Sequence, residues 1–226
     1  MRKSLLISIS GVAAARTKPL YEALNVRMPT AMPDSKIAFI GCPYYIKGRR
    51  KFPLPLLWGK EERDEHPTTR LLNAWKRLNQ RSVTDVRASL ATHDIVVVER
   101  FGLDALLYAT ACCDSPEAID EAERVHHALV SMRVVAQGIR PPTYFIPAAP
   151  IDDIRPLAAV YPEVQEMDGI VVRNFLEHEA RMLARYFDPK HGQNKPCLLP
   201  ITMSIDDMCE CVIDTVRGQV AQQDAA

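Results

Sequence analysis

The sequence is poor in the features that would assign it quickly. It has no paired C-x-x-C arrangement, no excess of either charge and no apolar run near the roughly 18 residues a bilayer span requires. The missing cysteine pairs argue against zinc. Cys42, Cys112, Cys113, Cys197, Cys209 and Cys211 read as reduced thiols, buried in an intracellular protein. Cys209 and Cys211 stand two apart in a predicted helix and face different ways. The balance of 28 basic and 28 acidic side chains predicts neither specific nucleic-acid binding nor attraction to anionic membranes. The opening MRKSLLISIS has a basic start and an apolar body but no small-residue cleavage site, so it reads as a first strand and not a secretory signal. Cytoplasm is the expected compartment, with a mitochondrial destination left open. Glycine is scarce, at nine residues in 226, and the loops are where the scarcity matters.

What is present is ordinary globular composition, 47% apolar and 25% charged, over a length that suits one domain. Residues 1–218 are expected to form that domain, with a frayed tail over 219–226 that begins at Gln219. Strands are predicted over Lys3 to Ser10, Ile37 to Gly41, Asp94 to Glu99, Thr143 to Ile146 and Cys197 to Thr202. Ile95-Val96-Val97-Val98 is a continuous β-branched run, the pattern of a strand covered on both faces. Helices are predicted around Tyr21, over Thr68 to Thr92, Leu103 to Cys113, Glu117 to Gln137, Asp152 to Val160, Val171 to Phe187 and Ser204 to Arg217. Ser204 is the expected N-cap of the last, with Asp206 and Asp207 in its first turn. Cys42 to Arg63 follows no simple period and reads as an ordered loop. Five strands alternating with helices predict an α/β fold, a five-stranded parallel sheet flanked by helices in three layers, with ligands at the carboxyl ends of the strands.

Two of those strand ends carry suggestive residues. After the first comes Ser10-Gly11-Val12-Ala13-Ala14-Ala15-Arg16-Thr17-Lys18, set against the phosphate-loop pattern G-x-x-x-x-G-K-[ST]. Counted from Ser10, Arg16 takes the lysine slot and Thr17 the Mg²⁺-hydroxyl slot; counted from Gly11, Thr17 and Lys18 take them. Neither register completes the pattern, and an arginine fork does not replace a compact ammonium. After the central strand comes Glu99-Arg100-Phe101, a carboxylate and a guanidinium that need partners, either an outside ion or a structural ion pair. His126-His127 are adjacent on a helix, cannot chelate one ion together and read as surface or partly buried histidines.

The order of these motifs resembles the thymidylate kinase and deoxynucleoside kinase family of P-loop proteins over nearly the whole chain. Glu99-Arg100-Phe101 lies between the Asp-Arg-Tyr/Phe and Glu-Arg-Ser that end the family's central strand. Leu71-Leu72-Asn73-Ala74-Trp75-Lys76-Arg77 resembles its Leu-Leu-Phe-x-Ala-x-Arg helix. Arg140-Pro141-Pro142-Thr143 resembles the lead-in to its fourth strand, and Thr202 to Asp207 its adenine-side loop. Phe52-Pro53 or Pro43-Tyr44-Tyr45 stands where thymidylate kinases carry Phe-Pro-x-Arg.

The resemblance implies a nucleoside monophosphate kinase that moves phosphate from ATP, with Mg²⁺, to dTMP. It implies Arg16, Glu99 and Arg100 as catalytic residues and Gly11, Arg16, Thr17 and Lys18 on the donor phosphates. Arg77, Arg100, Tyr45 and Tyr108 would hold the acceptor nucleotide, and Thr17 and Glu99 the metal. The absence of a carboxylate in Ile40-Gly41-Cys42-Pro43 favours a nucleotide over a nucleoside acceptor, because an ionised monophosphate needs no general base. Homodimers are common in the family.

The sequence also departs from the family. Asn73 replaces the phenylalanine that stacks on thymine, and Ala13 or Ala14 replaces a loop aspartate. The lid segment Tyr161 to Gly169 has no arginine, leaving Arg155, Arg173 or Arg16 to stabilise charge in flight. These losses point to the alternative, a kinase fold without catalysis that uses no cofactor and is retained as a structural or assembly subunit of a larger complex, a mitochondrial one included. The family offers a precedent in a subunit of respiratory complex I.

Overall fold

The computed structural model of the chain describes residues 4–42, 66, 68–69, 72–73, 84–101, 103–110, 115–130, 142–165, 168–188 and 195–225. Its strands are β1 (Leu5–Ile9), β2 (Ile37–Ile40), β3 (Ile95–Glu99), β4 (Thr143–Ala148) and β5 (Cys197–Pro200). Its helices are α1 (Thr17–Ala31), α2 (Thr84–Leu90), α3 (Leu103–Thr110), α4 (Pro116–Val130), α5 (Ile151–Ala158), the single turn α6 (Pro162–Gln165), α7 (Gly169–Tyr186) and α8 (Ile205–Asp224).

The five strands form one all-parallel sheet in the order β2-β3-β1-β4-β5. The β-branched run does what its composition demands. All of β3 is buried, held between β1, in register from Leu5↔Ile95 to Ile9↔Glu99, and β2, from Ile37↔Ile95 to Ile40↔Val98. Right-handed crossovers then dictate the layers. The chain moves one way from β1 to β2 and the other way from β3 to β4 and β5, so α1 is placed opposite α3, α4 and α7. Helix α8 packs back against α1, while α3 packs on α4 and α7, and α5 on α7. The result is the three-layer α/β arrangement expected of a P-loop-like fold. Its core runs from Leu20, Leu24 and Met28 of α1, through Ile7, Ile9 and Phe145 of the sheet, to Leu176 of α7.

Several boundaries differ from the pattern-based expectation. Strand β4 continues to Ala148, and the segment before α7 contains the helical turn α6. Helix α8 does not fray at Gln219. It runs to Asp224, and the Gln219 side chain hydrogen-bonds the Thr143 hydroxyl, which ties the last turns to the start of β4. His126 is fully buried, edge-on to Tyr186, and burial pushes its pKa down to about 3. Cys42 and Cys209 are buried, but Cys211 is exposed. The four cysteines among the described residues are free thiols. The loop after Cys42 as far as Arg63, residues 70–71 and 74–83 of the helix expected over Thr68 to Thr92, and Gly138 lie outside the described residues.

Ser204 caps α8 as its sequence position implies: its hydroxyl accepts from the Asp207 amide at 3.0 Å. Ser204→Ala is expected to cost about 1 kcal/mol, read as a lower denaturant midpoint at unchanged slope. Among the described residues no helix is long and apolar enough to cross a membrane.

Candidate phosphate-loop site

The turn after β1 is built by the shortage of glycine. Gly11 takes φ 155°, a conformation glycine tolerates best, and a Cβ there would come within 3.4 Å of the Pro147 carbonyl. The remaining left-handed positions fall on Ala14 (φ 64°) and Arg16 (φ 61°), where L side chains are strained. Val12, Ala13 and Ala15 pack into the core, so their apolar side chains turn inward and hold the loop down. The Ala15 amide donates to the Val12 carbonyl and the Arg16 amide to the Ala14 carbonyl. Those two donors are used within the loop.

A third donor is used by the far end of the chain. Glu179 of α7, fully buried, accepts the Ala13 amide on Oε2 at 2.7 Å. In a phosphate loop such amides close around phosphate oxygens. Here a carboxyl oxygen takes that place. Burial drives the Glu179 pKa up to about 8, against partial relief from the Arg100 guanidinium and the Ala13 amide. At neutral pH the carboxyl is therefore mostly protonated. Its Oε1 has no hydrogen-bond partner among the described residues.

Arg100 completes the plug. It leaves β3 in the left-handed region at φ 59° and is 5% exposed. Its guanidinium donates to the Gly11 carbonyl (3.3 Å), the Asp104 carboxylate (3.0 Å) and the Thr17 hydroxyl (3.3 Å). Asp104, fully buried, also accepts from Ser10 at 3.0 Å. Because that bond uses the only Ser10 hydroxyl hydrogen, Ser8 must donate across the 2.8 Å contact to Ser10, and Ser8 in turn accepts the Phe101 amide. Burial raises Asp104 to about 6, opposed by Arg100 and by the hydrogen bond from Ser10. One guanidinium, one carboxylate and one protonated carboxyl make a cluster with little net charge at pH 7.

The adjoining residues named from the sequence scatter. Glu99 accepts the Cys42 amide at 3.2 Å. Arg16 donates to the Met203 carbonyl at 3.1 Å, which joins the loop to the segment before α8. Lys18 is 3.5 Å from Glu22, one turn along α1. Arg173 is taken by Glu177 and faces Asp152, and Arg155 is exposed. Arg77 and Tyr45 lie outside the described residues, as does the Tyr108 side chain. The cleft beside Ala14, Arg16, Thr17 and Lys18, closed by Leu157, Val160 and Tyr161, measures about 240 Å³. That is below the roughly 300–1,000 Å³ usual for ligand pockets.

The two residues expected to hold Mg²⁺ each meet a group of the protein. The hydroxyl that would hold it, on Thr17, accepts from a guanidinium, so a second cation there would meet like charge. Glu99, the other expected ligand, points its carboxylate at a backbone amide. Among the described residues, no cluster of three or more His, Cys, Asp or Glu side chains could hold a metal.

Glu179, Asp104, Ser8 and Ser10 were not among the site residues expected from the sequence. The signal for Glu179 is its position on the buried stripe Val172, Phe175, Leu176, Met182, Leu183 and Tyr186, where a carboxylate requires a partner. The signal for Asp104 is its spacing of four from Arg100. No known family model matches this sequence, and no curated protein is significantly similar to it.

Proposed function

We propose that the chain is a kinase-fold protein without phosphoryl-transfer activity that serves as a structural or assembly subunit of a larger protein complex. The observation that supports this reading is the occupation of the loop by the protein's own groups: the Ala13 amide is given to Glu179 and the Thr17 hydroxyl to Arg100. Phosphoryl transfer depends on preorganised donors aimed at the charge that develops in the transition state. Before ATP could enter, a buried carboxyl and a buried guanidinium would have to leave their partners. Of the other cations expected around the phosphates, Arg16 donates to the Met203 carbonyl, Lys18 lies beside Glu22 and Arg173 pairs with Glu177, while Arg155 is exposed.

The competing reading is the ATP-dependent dTMP kinase that the family resemblance implies, with Mg²⁺ and the residues assigned above. The full-length protein with millimolar ATP·Mg²⁺ and dTMP distinguishes the two. The proposal expects no ADP formation above background and no rise in melting temperature with either nucleotide, whereas a ligand at 100 times its dissociation constant stabilises by about 2.7 kcal/mol. Turnover with dTMP in the ordinary enzyme range of about 1 s⁻¹ or more would overturn it.

A further inference from the structure

Beside Val12 of the turn after β1, the edge of the sheet bounds an open apolar cleft of about 500 Å³. It is lined by Ile146 of β4, Leu198 of β5, Ile154 of α5 and Leu183 and Phe187 of α7, with Lys195 just ahead of β5. Lys195 is the sole ionisable side chain among the described lining residues, and it is exposed. The volume falls within the range of about 300–1,000 Å³ that small-molecule sites span, and such sites combine apolar walls with very few polar groups that fix orientation. A cavity of this size and lining has no role in the hydrogen-bonded cluster around Arg100.

We propose that this cavity binds an amphipathic monocarboxylate, a medium-chain aliphatic acid whose tail lies among the aliphatic and aromatic side chains and whose carboxylate pairs with Lys195. The chemistry follows from charge complementarity. The one ionisable side chain among the described lining residues is an ammonium, which matches a monoanion, and apolar walls match a tail with no hydrogen-bonding groups to desolvate. A phosphate, with its higher charge, would leave most of its oxygens without a partner. The site is independent of the reading of the phosphate loop. Either can fail without the other.

The test is titration of the full-length protein with octanoate, decanoate and decan-1-ol, followed by methyl NMR of Ile146, Ile154 and Leu183. Each added methylene is expected to tighten binding about fourfold. Two variants locate the contact. Lys195→Glu, at an exposed position, is expected to weaken decanoate roughly five- to tenfold through loss and reversal of one ion pair while leaving decan-1-ol unchanged. Ala184→Trp, also exposed and lining the cavity, is expected to abolish binding of both. No methyl shifts, affinity independent of chain length, or equal decanoate affinity in the wild type and Lys195→Glu would overturn the proposal. Because Lys195→Glu removes no buried group, its result stands even if the tryptophan variant folds poorly.

Discussion

Between pH 6.5 and pH 8 the wild-type protein should lose stability, and Glu179→Gln should remove most of that loss. The sign follows from proton binding. Burial holds Glu179 near pKa 8 in the folded state, against an ordinary value of 4.5. The folded protein therefore binds more protons than the unfolded chain throughout this window, and stability falls as pH rises. Each pH unit of that window is worth up to about 1.4 kcal/mol, so Glu179 alone contributes a loss of about 1–2 kcal/mol. The buried histidines oppose part of it. Burial holds His126 and His178 near pKa 3 and 4, so near pH 6.5 the unfolded chain binds more protons at them than the folded protein does, and their contribution grows by about 0.4 kcal/mol each as pH rises to 8. Wild type and variant share that opposing part, so the difference between their pH profiles isolates Glu179. Asp104, near 6, is largely ionised before the window opens. The glutamine amide keeps the size of the side chain and an oxygen for the Ala13 amide, so the variant isolates the proton. Melting curves for both proteins at pH 6.5, 7.25 and 8 decide the matter; parallel pH profiles would place Glu179 in a wetter, ordinary environment.

The second large effect is expected at Arg100. A side chain whose only task is to hold an acceptor phosphate can be removed with loss of activity and little loss of stability. Arg100 instead supports Gly11, Thr17 and Asp104 from a buried position. Arg100→Ala would strand the fully buried Asp104 carboxylate, and breaking one side of a buried pair typically costs about 3–5 kcal/mol. Replacing both partners with apolar residues of similar volume is often neutral or stabilising. The double variant Arg100→Met with Asp104→Leu should therefore recover much of what the single variant loses. Urea denaturation of the three proteins measures this coupling. A single variant as stable as wild type would return Arg100 to the role of a ligand-binding residue.

Much of this architecture was readable from local pattern. The run Ile95-Val96-Val97-Val98 required a strand covered on both faces, and Ser204 with Asp206 and Asp207 marked the start of α8, because both signals depend on neighbouring residues alone. The same was true of the glycine-poor turn, whose strain at Ala14 and Arg16 follows from the residues that occupy it. What fills the turn was not readable in that way. Glu179 lies 166 positions from Ala13, and no spacing rule connects them. Its place on an apolar helical stripe showed only that a carboxylate was buried, not which donor it would meet. Of the partners left open for Glu99-Arg100, an outside ion or a structural ion pair, the structure shows the ion pair of Arg100 with Asp104 in the helix that follows, while Glu99 accepts the Cys42 amide. The end of α8 was placed too early for a related reason, since the composition after Gln219 looks frayed until its contact with Thr143 is seen.

In the turn after β1, the Glu179 carboxyl takes the Ala13 amide that a phosphate would need. The most direct measurement is NMR of the Glu179 side-chain carboxyl carbon and the Ala13 amide proton across pH 4 to 9, with and without millimolar ATP·Mg²⁺. The two signals should titrate together with a midpoint near 8 and remain unchanged by nucleotide. A Glu179 midpoint near 4.5, with an Ala13 amide that moves on addition of ATP·Mg²⁺, would show a vacant cradle and contradict the account.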